Sequence, residues 1–157
     1  MVGIGYDIHR LESGNSIILG GVEIPADFGV AAHSDGDVLV HSVIDAMLGA
    51  AGLGDIGDYF PDTDERYKNA NSCDLLKIIF EMLKSRGYEI VNIDATIVLE
   101  RPKLADYKVK IKENLVKLLD LSDTQINIKA TTNEKLDSIG SKNAIAVFSV
   151  CELRVGE

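Results

Sequence analysis

The stretch DVLVHSVIDAMLGAAGL, residues 37–53, carries the helical pattern around which the rest of this chain is arranged. Its apolar side chains recur at three- and four-residue spacing, which places them on one face of a helix. These positions are Val40, Val43, Ile44, Met47 and Leu48. Gly52 and Gly54 follow them, and glycine is common just past a helix C-terminus. The sequence therefore predicts a helix over residues 37–53.

Strand-like segments lie on both sides of this helix and alternate with further helices. Predicted strands cover residues 2–11, two short runs around the Gly-Gly turn of 16–24, and residues 88–100, 124–131 and 144–155. Predicted helices cover residues 73–87 and a segment from Pro102 to about Leu119. Predicted loops cover residues 25–36 and 54–72, and NEKLDSIG is a predicted turn. This order predicts an α/β (α+β) fold with a single mixed sheet and helices on one face.

The outer face of that sheet predicts self-association. The strand sequence AIAVFSV, residues 144–150, carries apolar side chains on both sides. The chain has too few helices to cover both faces of a sheet, so other copies of the chain are the expected cover. The length and the lack of repeats or linkers predict one domain, 1–157.

Composition and charge narrow the classes of function. The chain has 16 Lys and Arg residues against 25 Asp and Glu residues, a net charge of −9, whereas non-specific nucleic-acid binders are usually basic. An acidic protein that handles phosphates needs local positive charge, which a bound metal ion supplies. No apolar run approaches the roughly 20 residues that cross a bilayer, and no targeting pattern follows Met1. We therefore expect a cytoplasmic protein that binds neither nucleic acid nor membrane.

The stretch YDIHR near the start of the chain places a carboxylate and an imidazole on one strand. Side chains two positions apart on a strand share a face, so Asp7 and His9 project together. His41 lies on the predicted helix between Asp37 and Asp45, an order that suits a ligand imidazole with a carboxylate behind its other nitrogen. Asp7, His9 and His41 thus form a candidate site with three ligands and an open fourth position, as in catalytic zinc sites. The competing interpretation is ordinary strand surface and the solvated side of a helix.

Four further segments carry polar side chains suited to a phosphate, a cation or a hydroxyl group. AHSDGD (32–37) precedes the helix, where Ser34 or Asp35 is a candidate cap and free N–H groups favour an anion. ATTNEKL (130–136) offers Glu134 to a hard cation such as Mg²⁺ and threonine hydroxyls to phosphate oxygens. GDIGD and FPDTD supply acidic turns. By itself, AHSDGD is interpreted as a plain capping loop. The competing interpretation of ATTNEKL is a turn with a helix cap, and GDIGD and FPDTD form either a solvated loop or a hydroxyl-binding loop.

The order of four segments is distinctive. They are YDIHRL, AHSDGDVLVHSVIDAMLGAAGLGDIGDYFPDTD, IDATIVLERPKL and INIKATTNEKL. Together they resemble the 2-C-methyl-D-erythritol 2,4-cyclodiphosphate synthase family of the non-mevalonate isoprenoid pathway. The resemblance covers nearly the whole chain, and the block from Ala32 to Asp64 is its most specific part.

The resemblance implies a metal-dependent enzyme, a phosphorus–oxygen lyase. It also implies a homotrimer whose sheets pack around a three-fold axis, with active sites between subunits. The implied substrate is 4-diphosphocytidyl-2-C-methyl-D-erythritol 2-phosphate. Its 2-phosphate attacks the β-phosphorus, CMP leaves and 2-C-methyl-D-erythritol 2,4-cyclodiphosphate forms. Positioning and charge neutralisation dominate such phosphoryl transfers, so two metal ions would explain how an acidic chain handles this substrate.

The resemblance assigns metal ligands and catalytic positions. Asp7, His9 and His41 match the ligands of one Zn²⁺ per site. Glu134 matches the residue that holds a second divalent ion, Mg²⁺ or Mn²⁺, together with phosphate oxygens. His33 and Thr132 match the catalytic positions that stabilise the transition state.

The resemblance also assigns substrate contacts. His33 and Ser34 match the contacts of the 2-phosphate. The positions that match the methylerythritol contacts and the adjoining loop are Asp55, Ile56, Gly57, Phe60, Pro61, Asp62, Thr63 and Asp64. The segments 99–105 and 130–132 match the cytidine pocket of the adjacent subunit. They contain the expected contacts Pro102, Lys103, Ala130 and Thr131.

One segment departs from the family pattern. Where the family usually continues Gly-Phe-x-Gly-Arg-x-Glu-Gly-Ile-Ala, this chain has DSIGSKNAIA, residues 137–146. Ser138 stands at the usual Phe and Ser141 at the usual Arg, with Lys142 one position further on. In the family this segment lines a cavity on the trimer axis that holds isoprenoid diphosphates, so the sequence leaves binding there open.

Two other functions would use the same ligands. A metal-dependent phosphohydrolase would use metal-bound water as nucleophile and release inorganic phosphate from model esters. A non-enzymatic, metal-stabilised trimer would act as a binding module, with a closed site of four ligands and no turnover. The three ligands found in the sequence count against the second alternative.

Overall fold

The structure is a computed structural model that describes residues 1–156. Its strands are β1 (Val2–Glu12), β2 (Ser16–Leu19), β3 (Val22–Pro25), β4 (Gly29–Val30), β5 (Tyr88–Val98), β6 (Ile126–Thr131) and β7 (Ala144–Val155). Its α-helices are α1 (Val38–Ala51), α2 (Ile56–Tyr59), α3 (Ser72–Ser85), α4 (Lys108–Leu118) and α5 (Asp137–Gly140). Two 3₁₀ helices cover Glu65–Tyr67 and Asp123–Gln125. Over the described residues, none of the helices has the length and apolar character that crossing a membrane requires.

Five strands form a mixed sheet in the order β4-β1-β7-β5-β6, and β2 and β3 form a separate hairpin. The pairs β1–β4, β1–β7 and β5–β7 are antiparallel, whereas β5–β6 is parallel. The mixed sheet predicted from the sequence is therefore confirmed. Because β7 runs against both β1 and β5, the carboxyl ends of β1, β5 and β6 lie at the same end of the sheet.

The three long helices pack on one face of this sheet, as predicted. α1 lies across β1 and β7, α3 packs beside α1 and against β5, and α4 packs against β6. The one-turn helix α5 contributes Ile139 to a small cluster with Val98, Ala144 and Ala146. The main core lies between the long helices and the sheet. Its largest fully buried side chains include Leu39, Ile44, Met47, Leu76, Ile79, Ile93 and Ile97.

The close approach of α1 to β1 depends on two glycines. A Cβ at Gly5 would lie 1.9 Å from the carbonyl oxygen of Ser42, and a Cβ at Gly3 would lie 2.2 Å from that of Ala46. Alternate positions of a strand share a face, so these glycines bring α1 onto the same face from which the polar residues of YDIHR project. The helix and the strand are thereby close enough for their side chains to meet.

The ends of α1 carry distinct caps. The side chain of Asp37 is fully buried and accepts the Val40 N–H at 3.0 Å. The predicted cap at Ser34 or Asp35 is therefore wrong, because Asp37 stands immediately before the first helical residue. Gly52 ends the helix in the left-handed region at φ +67°, as the sequence predicted.

The loops hold short elements that the sequence pattern missed. β4 lies within the predicted loop 25–36 and pairs with the end of β1. α2 and one 3₁₀ helix lie within the predicted loop 54–72. Elements of two to four residues are too short to show a hydrophobic period, so periodicity does not detect them.

The helix predicted from Pro102 begins six residues later, at Lys108. Leu104 is buried and forms a turn, because its carbonyl oxygen accepts the N–H groups of Tyr107 and Lys108. The chain thus anchors one apolar side chain in the core before it becomes helical. The predicted end near Leu119 is confirmed.

The other face of the sheet exposes an outer apolar patch, formed by Val2, Ile4, Tyr6, Ile8, Phe148 and Val150. On neighbouring strands, Ile4 pairs with Val150 and Tyr6 pairs with Phe148. The exposed fraction of these side chains runs from 40% at Val150 to 70% at Ile4. Contiguous exposed apolar surface of this kind is typical of interaction sites.

Candidate metal centre and its cavity

Asp7, His9 and His41 converge on the side of the sheet that faces the helices. β1 carries Asp7 and His9, and α1 brings His41 over the strand. Asp7 Oδ2 lies 3.1 Å from His41 Nδ1 and 3.2 Å from His9 Nδ1. One potential ligand atom of each residue lies within 4.8 Å of the other two. The strand and the helix thus bring together the three residues that the sequence singled out.

The donor atoms of this triad fit Zn²⁺. Two imidazole nitrogens and one carboxylate oxygen are typical of catalytic zinc sites, in which a fourth position stays open. His9 Nδ1 is buried and lacks a hydrogen bond of adequate geometry, although Asp7 Oδ2 is 3.2 Å away. Buried polar atoms in proteins nearly always have partners, and a cation bound by the triad would give this nitrogen one. The unpartnered nitrogen therefore indicates a cation site.

Electrostatics at the triad favour a bound cation. Burial acts to raise the pKa of the Asp7 carboxyl, but the hydrogen bond from His41 and the close imidazoles of His41 and His9 outweigh it and hold that pKa below its ordinary value. Burial likewise acts to lower the pKa of His41, but the hydrogen bond and charge of Asp7 raise it above 6.5. Asp7 is therefore ionised at neutral pH and attracts either protons on the imidazoles or a metal ion.

The second ring nitrogen of His41 meets serine hydroxyls. His41 Nε2 lies 2.8 Å from Ser72 Oγ and 3.3 Å from Ser34 Oγ. Ser72 in turn donates both its hydroxyl and its backbone N–H to the carboxylate of Asp35. His41 is therefore held from both sides, by Asp7 at one nitrogen and by Ser72 at the other.

The prediction of a carboxylate from Asp37 or Asp45 behind His41 is wrong. Asp37 accepts the N–H groups of Gly20 and Gly21 at the β2–β3 turn in addition to capping α1. Asp45 accepts the backbone N–H of α2's first residue at 2.8 Å and so ties α2 to α1. Side chains four residues apart on a helix project side by side, which leaves their tips free to turn to different partners.

The triad forms part of the wall of a cavity of about 530 Å³, a size typical of small-molecule sites. The predicted site residues that line it are Asp7, His9, His33, Ser34, His41, Ile56, Gly57, Phe60, Asp62 and Asp64. The other polar lining residues are Asp45, Glu65, Tyr67 and Lys68. Carboxylates outnumber lysines in this lining, so an anionic ligand there would need cations to offset the repulsion.

The segment 54–72 forms one side of the cavity. A capping box between Asp55 and Asp58 begins α2, with each side chain accepting the other's backbone N–H at 3.2 Å. Phe60 is buried and packs edge-on against Tyr67, with ring centroids 5.1 Å apart. Predicted contacts of this segment that do not line the cavity are Asp55, Pro61 and Thr63. The buried aromatic contact holds the acidic turn beside the triad.

The remaining predicted site residues follow the carboxyl ends of β5 and β6 or end those strands. They are Pro102, Lys103, Ala130, Thr131, Thr132 and Glu134. None of them lines the cavity at the triad. In the sheet, β7 separates β5 from β1, and β6 lies one strand further away. One chain alone therefore does not bring these residues together with the triad.

Glu134 lies in a tight turn that Glu100 supports. Glu100 Oε1 accepts the N–H of Asn133 at 2.8 Å and that of Lys135 at 3.4 Å. Thr132 Oγ1 donates to Glu134 Oε1 at 3.1 Å. Glu134 and Lys135 have φ values of +51° and +63°, which are uncommon for residues other than glycine. The turn thus presents the Glu134 carboxylate and the Thr132 hydroxyl side by side.

Sequence reasoning missed two residues that support the candidate site, Ser72 and Glu100. Ser72 is 31 positions from His41, and Glu100 is 33 positions from Asn133. In the sequence, Ser72 is simply a residue at the start of a helix, and Glu100 is a residue at the end of a strand. No local pattern distinguishes them, because both act through contacts that only the folded chain creates.

The fold and the triad define a class of protein with a candidate metal site in a cavity beside a mixed sheet. Comparison with known proteins identifies the family. Residues 1–154 match the model of the YgbB family. This chain belongs to that family. Its relatives include the 2-C-methyl-D-erythritol 2,4-cyclodiphosphate synthase of Clostridioides difficile (strain 630), which is 49% identical over 152 residues, 97% of this chain and 94% of that protein. The resemblance found in the sequence is thus confirmed.

Solved structures show the same fold. The bifunctional IspDF of Campylobacter jejuni matches 99% of this chain with a TM-score of 0.95 and 47% identity, and this chain spans 42% of that longer one. The Plasmodium falciparum IspF, solved as a CDP complex, matches 99% of this chain and 96% of its own length, with a TM-score of 0.88 and 34% identity. The expected mixed sheet with helices is therefore shared with IspF structures.

Proposed function

We propose that this chain converts 4-diphosphocytidyl-2-C-methyl-D-erythritol 2-phosphate to 2-C-methyl-D-erythritol 2,4-cyclodiphosphate and CMP, as a metal-dependent phosphorus–oxygen lyase of the cytoplasm. The observation that carries the proposal is the convergence of Asp7, His9 and His41, with an unpartnered His9 nitrogen, on the wall of a cavity of about 530 Å³. Membership of the YgbB family assigns the chemistry, because relatives at 49% identity carry the name of this synthase.

The chain's contribution to metal binding follows from the donor atoms. Asp7, His9 and His41 would hold Zn²⁺, and Glu134 would hold a second divalent ion, Mg²⁺ or Mn²⁺. Bound there, the ions supply Lewis-acid activation and offset the charge of the diphosphate. The acidic lining of the cavity supports this assignment, since carboxylates alone would repel a polyanionic substrate.

The proposed reaction needs orientation more than acid–base chemistry. An oxygen of the 2-phosphate forms a bond to the β-phosphorus, while the bond from the β-phosphorus to the oxygen bridging to CMP breaks. CMP departs with that oxygen and its electron pair, so the reaction consumes no water. The nucleophile is already ionised, and the protein has to align it and exclude solvent. His33 and Ser34 are the proposed contacts of the 2-phosphate, and His33 and Thr132 are the proposed transition-state contacts.

The substrate's other parts have proposed positions along the same end of the sheet. Residues 55–57 and 60–64 would contact the methylerythritol hydroxyls, and most of them already line the cavity. Residues 99–105 and 130–132 would form the cytidine pocket. A cytidine nucleotide is a ligand of the Plasmodium falciparum relative, which supports this part of the proposal.

We infer a homotrimer with active sites between subunits. In one chain the triad and the Thr132–Glu134 turn lie at separate strands of the sheet, so a site that uses both takes them from two chains. The outer apolar patch offers the surface for this assembly, because packing it around a three-fold axis would bury side chains that one chain leaves 40–70% exposed.

The proposal is tested by phosphorus NMR of the zinc-loaded protein with the substrate and Mg²⁺. We expect CMP and the cyclic diphosphate to form in equal amounts. His41→Ala should abolish both zinc binding and turnover, whereas Ser42→Ala, on the neighbouring position of α1, should retain both. Unchanged substrate with the zinc-loaded protein would refute the proposed function, and release of inorganic phosphate would favour a phosphohydrolase instead.

A further inference from the structure

We propose that Ser72, held by Asp35, determines which nitrogen of His41 binds the metal ion. The inference rests on the proposed metal site but not on the cyclisation reaction. It assigns Nδ1 of His41 as the ligand atom and gives Ser72 and Asp35 the role of positioning residues. Neither residue is a ligand, since each acts on the metal through His41.

The hydrogen bonds of Ser72 determine which nitrogen of His41 carries a hydrogen. A serine hydroxyl has one hydrogen, and Ser72 donates it to Asp35 Oδ1. The Ser72 backbone N–H donates to the second oxygen of the same carboxylate at 2.9 Å. Asp35 can only accept these bonds, so the Ser72 oxygen is left as an acceptor toward His41 Nε2 at 2.8 Å. The Nε2 atom must therefore carry the hydrogen.

The tautomer of His41 follows from this bond. Without a metal ion, Nδ1 carries the proton that it donates to Asp7 Oδ2. A bound metal ion would replace that proton, and because a neutral imidazole has one N–H and one lone pair, a hydrogen kept on Nε2 leaves the lone pair on Nδ1. His41 Nδ1 lies 3.1 Å from Asp7 Oδ2, the oxygen that also faces His9 Nδ1 at 3.2 Å. The lone pair thus points into the group of candidate ligand atoms. Partners behind a ligand histidine commonly set its tautomer and ring orientation in this way.

Burial makes Ser72 an effective acceptor. The residue is fully buried, so solvent does not compete for its hydroxyl oxygen. Ser34 Oγ is a longer second contact at 3.3 Å, and it also accepts the Gly36 N–H at 3.3 Å. A purely structural role for Ser72 would join α3 to the residues before α1 without selecting a nitrogen, so the test has to separate stability from metal binding.

The first measurement is zinc affinity without substrate, by competition with a chromophoric chelator. Ser72→Ala should weaken zinc binding roughly ten- to a hundred-fold, as loss of such partners generally does. Ser42→Ala is the matched control, because Ser42 is also fully buried and its hydroxyl bonds to Ser149 and not to His41. Urea unfolding of both metal-free variants measures the purely structural cost. Wild-type zinc affinity in Ser72→Ala would overturn the inference.

The second measurement reads the ligand atom in the wild-type protein loaded with ¹¹³Cd and ¹⁵N-labelled at histidine. The chain has only three histidines, so the ring nitrogens can be assigned. We expect coupling from ¹¹³Cd to Nδ1 of His41 and a proton on its Nε2. Coupling to Nε2, or no metal binding, would overturn the inference. Neither measurement needs turnover, so absent cyclisation with these results would contradict the proposed reaction alone.

Discussion

Replacing Gly5 with alanine should move α1 away from β1 and disrupt the candidate metal centre. The new Cβ would lie 1.9 Å from the Ser42 carbonyl oxygen and 2.8 Å from the Ala46 N, whereas ordinary contact begins at 3.4 Å. Both neighbours are backbone atoms, which no rotamer change can move, so α1 has to shift by about 1.5 Å. Overpacking of this kind costs roughly 1–3 kcal/mol, and we expect the upper part of that range.

The same shift should abolish the proposed zinc binding, because ligand distances tolerate only about ±0.2 Å. Urea unfolding of the metal-free protein and zinc content after dialysis measure the two effects. Gly49→Ala is the control on the same helix, since its Cβ would meet atoms no nearer than 3.8 Å; it should be neutral or stabilise by up to about 1 kcal/mol. Wild-type stability and stoichiometric zinc in Gly5→Ala would refute the reasoning.

Three further changes test other parts of the account. Phe148→Asp puts a charge in the outer apolar patch and should leave a monomer of 17.0 kDa by light scattering; an unchanged trimer mass would contradict the proposed interface. Asp37→Asn removes a buried carboxyl group. Burial raises the pKa of Asp37 from the ordinary 3.8 to about 6. Because the folded pKa is the higher one, the wild type should lose about 3 kcal/mol of unfolding free energy relative to the variant as pH rises through this interval. If the difference in unfolding free energy between the wild type and Asp37→Asn did not change with pH in urea unfolding, this prediction would be contradicted. Arg101→Ala removes the 3.0 Å contact to Asp27 and the stacking on Phe28 next to residues 99–105, the proposed cytidine segment. KM should rise roughly ten-fold with little change in kcat. An unaltered KM would show that these contacts do not position the proposed cytidine segment.

Local sequence pattern was sufficient for the elements that carry the triad. The three- and four-residue spacing in residues 37–53 predicted α1, and Gly52 ends that helix as expected. The strand periodicity of residues 2–11 placed Asp7 and His9 on one face, which the burial pattern of β1 bears out. Their convergence with His41 did not follow from either pattern. It depends on Gly3 and Gly5, which admit α1 to within contact of the strand.

Contacts between distant residues account for what the sequence did not predict. Asp37 caps α1 because the β2–β3 turn supplies two further N–H groups to its carboxylate. Ser72 stands behind His41 because α3 begins beside α1, although 31 residues separate the two side chains. The helix expected from Pro102 begins only at Lys108, because Leu104 packs in the core just before it. In each case the deciding partner comes from another element.

In the proposed reaction the substrate's own phosphate, and not water, attacks the β-phosphorus in the cavity that Asp7, His9 and His41 line. Running the reaction in H₂¹⁸O and analysing both products by mass spectrometry tests this claim directly. Cyclisation predicts that CMP and the cyclic diphosphate contain no oxygen from solvent. One ¹⁸O atom in a phosphate product at each turnover would contradict the claim and identify a hydrolase.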